Sequence, residues 1–287
     1  IFSSLGRWFC GPPPPMSGIA AWRAFRSRHQ PWIDRLWFVA SLVVLIGGLQ
    51  WYVVSNEVSA VVFPPPSAVF QAFWADLSDG TYLAHVGITV YAIGLGFVFG
   101  GGLGFGLALL ISEQPIVRKV LYPYVIALQS VPKVALAPLF VVWFGFGLES
   151  KVALTTLSTF FPVLVTTLSG LDNTDPDLLD LMRAYSARRR WVFLRVKLPS
   201  ALPFLFAGLE LAIILSVVAT VVAEFIGAQK GLGYLVLLYN TRLDIGAEFA
   251  GLIALSLLGF ILHWGVKRLG DRLIFWRRKG EGPAAKP

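Results

Sequence analysis

The chain has 287 residues, of which 56% are hydrophobic and only 14% charged, and its mean hydropathy is +0.71. Soluble domains carry about a quarter charged residues, so a water-soluble body is excluded. The 24 Lys and Arg against 16 Asp and Glu give a net charge of +8, but these charges collect between long apolar runs. That pattern belongs to a membrane protein and not to a nucleic-acid binder. A single cysteine, Cys10, allows no internal disulfide and no paired-cysteine metal or redox site.

Residues 1–35 read as a basic cytoplasmic segment, partly disordered, with Pro12 to Pro15 as an extended linker. No Met precedes Met16, and the first residues are expected to have no functional role. Six apolar stretches follow: Leu36 to Val54, Val86 to Ile111, Leu121 to Leu148, Val152 to Leu171, Ala201 to Phe225 and Phe249 to Val266. Each approaches or exceeds the roughly 20 residues that cross about 30 Å of hydrocarbon. The expected architecture is therefore all-α, a polytopic membrane protein with a six-span domain over residues 36–272 and a basic cytoplasmic tail over 273–287. Val58-Ser59-Ala60 resembles a signal-peptidase site, but the apolar run before it is too long for a signal-peptide core.

Orientation follows from the basic residues. Of the 24, 20 lie before the first stretch, between the second and third, between the fourth and fifth, and after the last. The segment from Ser55 to Ala84 has Glu57, Asp76 and Asp79 and no Lys or Arg. The positive-inside rule places both termini in the cytoplasm.

The chain lacks a phosphate-binding loop and an H-E-x-x-H motif, and His29, His85 and His263 are scattered. No catalytic residue, metal site or bound cofactor is expected, and any energy source must be supplied from outside. His263 beside Trp264 reads as an interfacial pair. The glycines between Gly94 and Gly106 lie in an uncharged apolar stretch, so Gly96/Gly100 and Gly102/Gly106 are read as small-residue pairs for close helix contact.

The third stretch is broken by Gln129-Ser130-Val131-Pro132-Lys133 and Pro138. Its freed backbone groups need partners within the bundle or a water-filled cavity, which marks a candidate transport path. A helix starting at Leu121 would bury Lys133 about 18 Å deep. Lys133 then needs a structural carboxylate or carbonyl partner, or it meets an anionic substrate. Glu210 and Glu224 share a helix face about 21 Å apart, one toward each boundary, where paired or solvated structural carboxylates are preferred over a proton chain.

Residues 175–199 are the most informative. Asp175-Pro176-Asp177 supplies an N-cap, a first-turn proline and an acidic first turn, and predicts a short amphipathic helix through Tyr185. A turn at Ser186-Ala187 leads into the basic, aromatic run from Arg188 to Lys197 and then Leu198-Pro199. Composition leaves open whether this run anchors on anionic lipid or forms a docking surface.

Asp180-Leu-Met-x-x-x-Ser186, nine residues and then Val196-Lys-Leu198-Pro199 resemble the EAA loop of bacterial ABC importer permeases, E-A-A-x-x-x-G followed after nine residues by I-x-L-P. Asp180 stands for Glu, Leu181 and Met182 for two alanines, Ser186 for Gly and Val196 for Ile. Phe63-Pro64-Pro65-Pro66-Ser67, Val131 to Leu139, Trp143 to Gly147, and Glu224 followed by Gly231-Leu232-Gly233 are similar to the nitrate/sulfonate/taurine-type branch. The resemblance covers about residues 36 to 272.

It implies a type I ABC importer permease fold in the bacterial inner membrane, working as a homodimer with a second copy of the permease. It also implies two cytoplasmic ATPase subunits that use ATP and Mg, and a periplasmic solute-binding protein. The chain itself would then not be an enzyme. By the same resemblance Asp180, Arg183, Ala184, Tyr185, Ser186 and Ala187 form a coupling helix that docks the ATPase. Gln129, Ser130, Lys133 and Glu224 are expected near the path of a small polar, anionic solute. Serine at 186 would disfavour a left-handed turn by about 1 kcal/mol, and Glu210 stands where relatives often carry a basic residue. The alternative from another class is an ion-coupled secondary transporter using Lys133, Glu210 and Glu224.

Overall fold

A computed structural model describes residues 17–276 as backbone and side chains from residue 36. The Pro12 to Pro15 linker and most of the basic tail lie outside the described residues, as do the side chains of Arg23 to Arg35. All regular structure among the described residues is helical. The chain divides into two units, and each is considered by itself.

The first unit is built on α1, Ser17–Ser55. The helix begins well before the apolar stretch, so the part of the basic N-terminal segment from Ser17 onward is helical backbone. At 1.5 Å per residue, 39 residues extend about 58 Å, of which Leu36–Ser55 is the apolar part.

The second unit contains α2 (Pro66–Ser78), α3 (Thr81–Glu113), α4 (Pro115–Gln129), α5 (Ala137–Phe144), α6 (Leu148–Asp172), α7 (Pro176–Ala184), α8 (Arg189–Val192), α9 (Leu198–Gly227), α10 (Leu232–Thr241) and α11 (Ile245–Leu273). In the short link before α3, the Thr81 N–H donates to Asp79 at 2.9 Å, which holds this exposed carboxyl below its usual range. Among the described residues, five helical segments are long and apolar enough to cross a bilayer, with α8 and α9 counted as one. The sixth expected span falls on the bent pair α4 and α5, and the count reaches six when the pair is taken as one span.

The break expected in the third stretch is present, and it is sharp. α4 ends at Gln129, and the next helical stretch, a 3-10 turn over Lys133–Leu136 leading into α5, turns by 84°. Fifteen residues of α4 rise only about 22 Å, short of the hydrocarbon thickness. The depth reckoned for Lys133 along a continuous helix therefore does not apply.

The core of this unit is the layer of α3, α6 and α9. α3 is apolar on all sides, and its contact face is set by glycine spacing. A Cβ at Gly96 would collide with Thr155, one at Gly100 with the Thr156 carbonyl oxygen, and one at Gly104 would lie 2.6 Å from the Phe160 carbonyl oxygen. Gly96/Gly100 thus makes the close contact expected of it and Gly104 extends the face. Gly102 and Gly106 do not share it, since nothing lies within 4 Å of a Cβ at either.

Between α6 and α9 the fully buried hydroxyls pair with one another. Thr155 and Thr220 lie 2.8 Å apart, Thr159 and Ser216 3.3 Å, and Thr159 also donates to the Thr155 carbonyl. Such contacts favour one helix register where lipid provides no hydrophobic drive.

Candidate coupling surface and translocation cavity

α7 forms where the local signals predict it. Asp175 accepts from the Asp177 N–H at 2.9 Å as N-cap, Pro176 occupies the first turn, and Arg183 lies in the last turn, where a cation meets the helix dipole favourably. The helix closes on a Schellman motif. The Ser186 N–H donates to the Arg183 carbonyl at 2.8 Å and the Ala187 N–H to the Met182 carbonyl at 3.0 Å. This motif needs a left-handed residue, and Ser186 has φ 49°. A serine held there costs about 1 kcal/mol relative to glycine, so the strain foreseen for Ser186 is present in the fold.

Leu179 and Met182 are half-buried, while Asp180, Arg183, Ala184, Tyr185 and Ser186 are exposed and Ala187 is half-buried. Arg183 Nη1 donates to Asp180 Oδ1 at 2.7 Å, but both side chains are largely solvated, so the pair fixes orientation more than stability. Leu178, Leu181 and Tyr185 are also exposed, Tyr185 to 76%. Their spacing of three and four makes one apolar strip on the outer side. Leu178 and Leu181 are absent from the sequence-derived candidates, although this spacing is the signal that finds them.

The run after α7 is helical. α8 passes through a wide π turn, Phe193–Lys197, into α9, and the Leu198 N–H reaches back to the Phe193 carbonyl. Pro199 explains the wide turn. It has no N–H and its ring crowds the carbonyl four residues earlier, so the helix relaxes one turn before it.

Midway along α6, a cavity of about 310 Å³ lies between the bend, α6 and α9, and its wall includes Gln129, Lys133, Ser158, Phe161, Thr166 and Leu211. Of the four residues expected along a path, Gln129 and Lys133 share this wall. The Lys133 Nζ donates to the Gln129 carbonyl and lies 5.0 Å from the centre of the Phe161 ring. Its partner is thus a carbonyl freed by the helix break. Ser130 is not on the wall and donates to the Ile126 carbonyl at 3.2 Å.

Glu224 is elsewhere. It is fully buried near the end of α9, at the end of the unit away from α7. Its Oε1 accepts from Thr89 Oγ1 at 2.9 Å and from Lys151 Nζ at 3.3 Å, and its Oε2 accepts from the Gly233 N–H at 2.7 Å. The Lys151 Nζ also donates to the Lys230 carbonyl at 2.8 Å, and the Leu232 N–H donates to Thr89 Oγ1 at 2.8 Å. Gly231 has φ 127°, and a Cβ there would collide with the Glu224 carboxylate. The Gly231-Leu232-Gly233 turn therefore closes over the acid. His85 Nδ1 lies 3.1 Å from the Gly231 nitrogen and stacks its ring on Tyr234. Neither Lys151, Thr89 nor His85 is among the sequence-derived candidates, because nothing local pairs them with a residue so far along the chain.

At the opposite end, Arg118 makes a two-pronged pair with Asp172 at 2.9 and 2.7 Å, joining the start of α4 to the end of α6. No group of three or more potential metal ligands occurs among the described residues.

Apolar helices long enough to cross a bilayer, with a bent pair beside a cavity, define a polytopic membrane protein. The chain belongs to the family described as binding-protein-dependent transport system inner membrane component, whose model matches residues 100–275. This family supplies the membrane component of ABC importers, and the ATPase is a separate subunit.

The formylaminopyrimidine transport permease protein ThiX of Halalkalibacterium halodurans is 39% identical over 204 residues, covering 71% of this chain and 82% of that protein. The putative aliphatic sulfonates transport permease protein SsuC of Bacillus subtilis is 32% identical over 254 residues, covering 88% and 90%. In fold, the chain is similar to an inward-facing structure of the MetNI methionine ABC transporter. The TM-score is 0.58 at 19% sequence identity, over 67% of this chain and 95% of that one. The type I importer fold expected from the sequence is thus the fold found.

Proposed function

We propose that this permease carries a small polar solute bearing an anionic group inward across the inner membrane. In this reading it works as a pair of identical chains with two cytoplasmic ATPase subunits and a periplasmic solute-binding protein, and α7 docks the ATPase. ATP and Mg act in the partner, both termini face the cytoplasm, and the solute passes beside Gln129 and Lys133. The observation that carries the reading is α7, a capped helix whose apolar strip and charged residues face solvent.

The cavity supports the solute class. Lys133 is the one cation on its described wall, and the remaining lining is largely apolar with a few hydroxyl and amide groups. A solute with a compact organic body and one negative group matches such a wall. The relatives named for formylaminopyrimidine and for aliphatic sulfonates show that close family members differ in cargo. In this reading Glu224 pins the outer end of the path through Lys151 and the glycine turn and does not touch solute. The ion-coupled alternative loses support on the same ground, since both Glu224 oxygens already have donors.

The test begins with a thermal-shift screen that identifies the solute stabilising the cognate binding protein. Uptake of that solute into proteoliposomes is expected only with the ATPase subunits and ATP present. Uptake driven by a proton or sodium gradient without ATP would overturn the proposal.

A further inference from the structure

The inner end of α3 carries an anchor that the docking surface does not use. Glu113, the last residue of α3, accepts from Arg189 Nε at 3.0 Å through Oε2 and from Lys197 Nζ at 3.2 Å through Oε1. Its main-chain carbonyl accepts from Arg189 Nη2 at 2.5 Å. One residue therefore satisfies two cations, one on α8 and one at the end of the π turn. In doing so it also occupies a carbonyl that the helix end would otherwise leave open.

The surroundings give this anchor a mechanical meaning. A cleft of about 400 Å³ lies between Leu179, Arg183 and Ala187 of the α7 segment and the anchor residues Glu113, Arg189 and Lys197. α7 reaches α8 through the short Schellman turn. α8 is tied to α9 by chain continuity and to α3 by Glu113. α3 is in turn packed closely on α6 at Gly96, Gly100 and Gly104, where no side chain separates the two helices.

We propose that Glu113 is a positioning residue that ties the coupling segment to the α3–α6 pair. A displacement of α7 then moves α3 and α6 together with α9, instead of being absorbed at the π turn. The proposal rests on the reading of α7 as the ATPase-docking helix. Two discrete arrangements of a packed bundle need such a rigid link between the moving element and the core. Each charge contact is partly screened by water, so its value lies in geometry more than in stability.

The test uses the full permease–ATPase complex, with spin labels at Leu110→Cys on α3 and Leu194→Cys in the π turn, in a Cys10→Ser background. Leu110 and Leu194 are both exposed. With Glu113 in place, the distance between the labels is expected to be the same before and after ATP and Mg are added. In Glu113→Gln, the ATPase is expected to bind with wild-type affinity while the label distance shifts on adding ATP. Glu113→Asp is expected to restore the fixed distance. The pair Arg189→Gln and Lys197→Gln reproduces the shift without altering Glu113, which separates the anchor from a folding defect.

An ATP-dependent shift with Glu113 intact would overturn the proposal, as would a fixed distance in Glu113→Gln with the ATPase bound. Either result leaves the docking reading standing. Failure of the unlabelled wild-type complex to assemble would defeat the docking reading and the anchor with it.

Discussion

Replacing Lys151 by Met is expected to destabilise the purified complex by about 3–5 kcal/mol, because Glu224 would be left as a buried charge without its counterion. Lys151 and Glu224 have side chains 6% and 0% exposed, so water cannot compensate either one. In a thermal melt in detergent, the midpoint should fall on the order of ten degrees. Combining Lys151→Met with Glu224→Gln should recover part of the loss, since the amide oxygen can accept from the Gly233 N–H while the amide NH2 donates to Thr89 Oγ1. Equal melting of Lys151→Met and wild type would show that the pair bears no structural load.

Gly104→Val is expected to cost about 2–3 kcal/mol through overpacking. The Phe160 carbonyl lies 2.6 Å and the Leu164 nitrogen 3.2 Å from where the new Cβ would stand, and both belong to backbone that cannot rotate aside. α3 and α6 would have to separate, opening the close approach at Gly96 and Gly100 as well. Gly102→Ala, with open space around it, is the control and should change stability by no more than about 1 kcal/mol. Similar losses for the two substitutions would mean that glycine is needed along α3 for its backbone and not for one close face.

These two sites show what was legible in the sequence and what was not. The spans and the cap at Asp175 depend on neighbours within a few residues, and local chemistry reveals them. The strain at Ser186 was implied by the resemblance, since Ser186 stands where the EAA loop has a glycine. Lys151 could not be matched to Glu224 from sequence, because the two are 73 residues apart and nothing local pairs them. Glu113, Arg189 and Lys197 were hidden for the same reason.

The glycine faces failed differently. α3 is apolar all round, so periodicity selects no side, and only the ridge offered by Thr155, Thr159 and Phe160 on α6 distinguishes Gly104 from Gly102. The bend after Gln129 was legible as a break from Pro132 and Pro138, but its angle depends on the space left by α6 and α9.

The proposed function and the inner anchor both require that the bundle is worked from one end through α7. The most direct measurement is the affinity of the purified permease for its ATPase subunit, compared between wild type and the double substitution Arg183→Glu, Tyr185→Asp. Both residues are exposed and neither packs the bundle, so the fold should be retained. Reversing a charge and removing an aromatic anchor at the centre of an interface should lower the affinity by about 30-fold or more. Binding of the doubly substituted permease at wild-type affinity would contradict the account.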